Sequence, residues 1–258
     1  MSAVTGQRRE RFGRPIERRD GRDLPFYDGR PIEVAAWKWL IIVLACAAGF
    51  AALVLIPQPD QIVALVPRLL FPAIPLSVFI LFTGRYWTSI FRRLSGWDLL
   101  DMVVFWLLNL AVSAIVGLVV AAVFGANPNP ATDGLAASGA ANLVAFYVGT
   151  GIQLFGEEVF TLLPFLALMY LLVTKAHLGR KTSIVLAWLV TAVWFGAAHL
   201  PTYDWNFAQA FLIIGAARLV LTLAFIRTKN IAVSTGAHIL NDWATFTVAI
   251  VVAASAAA

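Results

Sequence analysis

The sequence predicts an all-α, polytopic membrane protein with about seven transmembrane helices, and three observations carry that prediction. The chain is 60% hydrophobic and only 13% charged, against roughly 25% charged residues in soluble domains. Apolar runs recur from residue 36 onward, most of them close to the roughly 20 residues that a 30 Å hydrocarbon core demands. The breaks between runs carry Lys and Arg alternately, as the positive-inside rule expects of cytoplasmic loops.

Residues 1–34 form a basic cytoplasmic tail containing Arg8, Arg9, Arg11, Arg14, Arg18, Arg19, Arg22 and Arg30. Without apolar periodicity, the tail is expected to stay largely disordered until it nears the membrane. Eight of the 19 Lys/Arg residues lie here, mixed with six acidic ones. The net charge of +5 therefore reads as a segment beside anionic lipid, with membrane lipid as the partner and no nucleic acid. No apolar core follows the start closely enough for a cleavable signal, so the first span is expected to act as its own insertion signal. The single cysteine, Cys46, lies in that span, which excludes an intrachain disulfide or a thiolate metal cluster.

Residues 35–140 hold the first three spans. Span one runs over 36–56 and stops at Pro57-Gln58-Pro59-Asp60. Span two, over 62–82, contains Pro67, Pro72 and Pro75, each of which removes a backbone donor and favours a kink. The stretch 85–93 mixes aromatic and cationic residues and suits the membrane interface. Span three covers 99–124, and the loop 125–139, with Pro128, Pro130 and Gly134 but no Lys or Arg, falls on the opposite side.

Residues 141–258 form the rest. Span four, over 141–174, would be roughly 50 Å of helix, so it must tilt, kink or break, and Gly149, Gly151, Gly156 and Pro164 mark where. Spans five (182–199), six (207–226) and seven (231–253) complete the count. The alternation of cationic breaks places the N-terminus in the cytoplasm and the C-terminus outside. A basic tail with Ala-rich spans suits a bacterial plasma membrane.

Titratable side chains inside hydrocarbon are expensive, so those within the spans are the first candidates for function. They are Glu157 and Glu158 in span four, His199 ending span five, Arg218 in span six, and His238 with Asp242 in span seven. Adjacent helical positions differ by about 100°, so only one of the two Glu carboxylates can point straight inward, and the other supports it or pairs with Arg218. Phe195 and His199 share a helix face at i, i+4, as do His238 and Asp242. Two histidines and a carboxylate from three helices could ligate a metal, or act as base and oxyanion stabiliser around a water. Straight upright helices would set His199 and His238 at depths differing by roughly 10 Å, so a shared site needs tilt, kinks or offset ends.

The order Glu157-Glu158, Phe195-x-x-x-His199, His238-x-x-x-Asp242 resembles the CPBP family of intramembrane proteases. That family includes the type II CAAX prenyl endopeptidases and bacteriocin-processing or immunity proteins. The resemblance covers about residues 141–250 and rests on three motifs, EExxxR, FxxxH and HxxxN or HxxxD. It implies a four-helix catalytic core in spans four to seven, in which Glu157 or Glu158 activates water and His199, His238 and Asp242 complete the site, with Phe195 in support. It implies an endopeptidase acting on a membrane-associated or lipidated protein. A divalent metal such as zinc, on His199, His238 and Glu157, is one form of that site, and a metal-independent one is the other. The sequence departs from the first motif at Leu162, where the family carries Arg, and Arg218 is the candidate to replace that cation. The departure keeps open a silent family member acting as an immunity or scaffold protein, and the Glu/His set within the spans, as a proton or metal relay, keeps open an ion-coupled transporter.

Overall fold

The computed structural model describes residues 11–257. Among these, seven helices are long and apolar enough to cross a membrane: α1 Ala36–Leu55, α2 Leu65–Thr83, α3 Gly96–Phe124, α4 Ala140–Tyr170, α5 Arg180–Ala198, α6 Gly215–Thr228 and α7 Ile231–Ala257. A π-helical stretch over Gln209–Ile214 extends α6 at its start, giving that span its full length.

Sequence chemistry sets several boundaries. Ser95 accepts from the backbone of Asp98, whose side chain takes the Ser95 N–H in return, a capping box that starts α3. Pro67 falls in the first turn of α2, where its missing donor costs nothing, and α2 stays helical through Pro72 and Pro75 before tightening into a 3-10 turn over Gly84–Ile90. The long fourth span likewise stays α-helical through its three glycines and Pro164. Its break comes later, as a π turn over Leu171–Lys175 closed by the Ala176 N–H on the Leu171 carbonyl.

α4 is the axis of the molecule, touching α1, α2, α5 and α7, while α3 closes the far side against α6 and α7. Every residue from Gly156 to Ala167, the carboxylates of Glu157 and Glu158 included, is buried, so this stretch is enclosed by its neighbours on all sides. The outer faces carry exposed aliphatics, among them Leu40 and Leu44 on α1, Leu118 and Val119 on α3, and Val251 and Val252 on α7. That surface needs hydrocarbon around it.

The expected disordered tail is corrected for residues 11–34; residues 1–10, with Arg8 and Arg9, lie outside the described part. Leu24, Phe26, Tyr27 and Val34 are buried, and the Phe26 ring sits edge-on to Trp39 and Phe79 at 6.1 and 5.4 Å. Arg180 lies 2.6 Å from Glu17 and 2.7 Å from Asp23, Lys229 lies 2.9 Å from Glu17, and Arg18 lies 2.7 Å from both Asp98 and Asp101. The mixed charges that resemble a disordered composition are counter-ions for cations and carboxylates at the helix ends. They form a cap over one end of the bundle, the end that also holds Arg92, Arg227 and Lys229.

Candidate active site

The site is built where α4, α5, α6 and α7 converge on a cavity of about 800 Å³. Its wall includes Glu157, Phe195, His199, Arg218, His238 and Asp242. The backbone explains how residues from distant spans meet. His199 is the C-cap of α5, and its Nδ1 returns to the Phe195 carbonyl one turn earlier at 2.9 Å, folding the ring back along the helix. The Phe195 ring packs against both histidines, 4.5 Å from the His199 ring and 6.5 Å from that of His238. The depth offset is absorbed this way, within one cavity. α5 can approach α6 here because Gly196 lacks a Cβ, which would lie 2.7 Å from the Ala210 carbonyl in the π-helical stretch.

The two glutamates do different things. Glu158 is 2% exposed and fully occupied. Arg218 Nη1 lies 2.6 Å from its Oε1 and Nη2 donates to Oε2 at 3.0 Å, while His238 Nδ1 donates to Oε1 at 2.9 Å. One hydrogen bond, from Nη2, and the close charge contact of Nη1, which itself makes no hydrogen bond, thus hold the carboxylate. Arg218 is itself set by Thr222, which accepts from Nε at 3.2 Å, and by the Phe195 ring 5.1 Å from Cζ. Leu162 lines the same small void as Glu158, Arg218 and Thr222, so the cation absent from position 162 is supplied from α6 to the same place.

Glu157 faces the cavity. Its Oε1 accepts from Gln153 at 3.1 Å, and its Oε2 lies 3.8 Å from His238 Nε2. Asp242 Oδ2 lies at the same 3.8 Å from that nitrogen, and its other oxygen accepts from Asn241 at 2.9 Å. With Nδ1 donating to Glu158, a neutral His238 ring would present Nε2 as an acceptor toward Glu157 and Asp242. A water bridging these three groups would satisfy all of them.

Among the described residues, no three His, Cys, Asp or Glu side chains gather as one metal ion would require: Glu157 and Asp242 lie near His238, and His199 packs on the Phe195 ring.

Sequence reasoning missed several members. Gln153, Asn109 and Asn241 supply polar wall, and Tyr203, from the turn after α5, brings its phenol into the cavity. Burial, followed by the charges of Asp242 and Glu157, pushes the Tyr203 phenol up to about 12, so it remains a donor at neutral pH. A tyrosine beside a span end reads as an interfacial anchor, and nothing in the spacing marks it as part of a site.

In comparison with known proteins, residues 136–244 match the model of the family described as type II CAAX prenyl endopeptidase Rce1-like. No curated protein and no solved structure matches.

Proposed function

We propose, from the match of residues 136–244 to the Rce1-like type II CAAX prenyl endopeptidase model and the geometry at Glu157, that this is a membrane-embedded endopeptidase that hydrolyses a membrane-associated protein or peptide. The observation that carries the reading is the asymmetry around His238. One side is locked by the Glu158–Arg218 pair, and the other is open to a cavity between Glu157 and Asp242.

In the proposed reaction, Glu157 is the general base. It takes a proton from a water held against His238 Nε2 and Asp242, and the resulting hydroxide attacks the scissile carbonyl. Tyr203, kept neutral, and His199, when protonated at Nε2, donate to the oxyanion that forms. The protonated Glu157 then gives its proton to the leaving amine, so water is split between a new carboxylate and a new amine, with no net change at the enzyme. Glu158 is a positioning residue: it fixes the His238 tautomer through Nδ1 and is neutralised by Arg218. With that cation in place, Leu162 ceases to be a reason to read the chain as silent.

The test is cleavage by the purified protein in detergent, with membrane-spanning peptides as substrates and mass spectrometry as readout. The reading expects fragment pairs whose masses sum to the substrate plus one water. A folded preparation that leaves every such peptide intact would overturn it.

A further inference from the structure

Among the described residues, one cation in the cavity has no counter-ion. Arg68, in the first turn of α2, is 8% exposed and lines the same cavity as Glu157. Its Nε and Nη1 are buried without a hydrogen-bond partner. The two other arginines buried to this degree, Arg180 and Arg218, are both ion-paired. An Arg near a span end would ordinarily extend to the surface. Here the side chain instead crosses α4 at Gly149, where a Cβ would stand 2.6 Å from Nη1 and 3.0 Å from Cδ. Only glycine at that position leaves the passage open. Burying an unpaired guanidinium is unfavourable, and an incoming anion would remove that cost.

We propose that Arg68 is an anion-binding subsite of the cavity that takes a carboxylate of the peptide substrate; this rests on the peptidase reading above. A guanidinium presents a fork matched to a carboxylate, and Asn109 of α3, fully buried with both side-chain polar atoms unpartnered, lines the same cavity. The subsite also has a measurable distance from the chemistry. Gly149 and Glu157 are eight residues apart on α4, roughly 12 Å along the axis at about 1.5 Å per residue. An extended peptide covers about 3.3 to 3.6 Å per residue, so the carboxylate belongs three to four residues from the scissile bond. A lipid phosphate would have to leave the bilayer surface and enter the cavity to reach the same atoms.

The experiment uses the full chain in detergent and three peptides of one sequence, carrying at that position a terminal carboxylate, a terminal amide, or an amide with an acidic side chain. The wild type should prefer the better carboxylate peptide over the plain amide by about ten-fold in kcat/KM, expressed mainly in KM. Whichever acid wins tells a terminal from a side-chain carboxylate. Arg68→Gln should reduce the preference to about one, and Arg68→Lys should keep part of it. No preference in the wild type, or an unchanged preference in Arg68→Gln, would overturn the subsite while leaving the peptidase standing. Binding of the labelled peptides to Glu157→Gln, followed by fluorescence anisotropy, separates the opposite case. If no peptide is cut anywhere yet carboxylate peptides bind this variant about ten-fold tighter in an Arg68-dependent way, the subsite stands and the peptidase reading fails. If phosphatidylglycerol, and not the acid peptides, binds in an Arg68-dependent way, the anion is a lipid and the proposal is overturned.

Discussion

Arg218 and Leu162 show how a charge can leave one position of a motif and return from another helix. Arg218→Leu would strand Glu158 in the membrane interior, and removing one partner of a buried pair costs about 3–5 kcal/mol. A large drop in thermal midpoint is expected, and the double variant Arg218→Leu/Leu162→Arg should recover at least half of it. An unchanged midpoint in the single variant would refute the pairing. Tyr203→Phe tests the donor that sequence alone did not suggest: kcat should fall by about 10²-fold with KM little altered, and an unchanged kcat would remove Tyr203 from the chemistry. Glu157, Glu158, His199, Arg218, His238 and Asp242 could be read from the sequence because titratable groups are conspicuous in apolar spans. Arg68 and Tyr203 could not, since each lies near a span end, where cations and tyrosines have an ordinary interfacial role.

At the scale of elements, the N-terminal cap is where the sequence misleads most. Its spaced Arg, Asp and Glu residues look like a solvated tail, and only the folded arrangement reveals that Glu17 and Asp23 answer Arg180 and Lys229. Burial alone would raise the Glu17 carboxyl, but hydrogen bonds from Arg180 and Lys229 outweigh it and hold it at about 2. A fall from an ordinary 4.5 to about 2 is worth roughly 3 kcal/mol. Because the folded carboxyl is the more acidic, that contribution is complete above pH 4.5 and is lost as pH falls toward 2. Hydrogen exchange on residues 11–34 should therefore accelerate over that acid range in the wild type, and Glu17→Gln should show fast exchange already at neutral pH. Equal protection in both proteins at pH 7 would contradict the cap's ionic anchoring. The seven helices themselves were legible within a few residues, since length and apolarity define them. The π-helical stretches at Leu171–Lys175 and Gln209–Ile214 were not, because five-residue hydrogen bonding leaves no pattern distinct from an α-helix.

For the whole molecule, the cavity wall includes Gln58, Asn129, Pro130, Thr202 and Tyr203, in the breaks that hold no Lys or Arg, whereas the ionic cap covers one end of the bundle. In the orientation that the positive-inside rule expects, the cap would face the cytoplasm and this wall the opposite side, and a substrate would then arrive from the non-cytoplasmic side. With Cys46 buried, Thr132→Cys and Asp204→Cys should react with an impermeant maleimide on intact cells, and Leu178→Cys only after permeabilisation. The reverse pattern would invert the topology and the side of entry. The central claim is that Glu157 activates the water that cuts a peptide, and the rate of Glu157→Gln tests it most directly. Against a peptide the wild type cleaves, this variant should retain binding while kcat falls by at least about 10²-fold; cleavage at the wild-type rate would contradict the account.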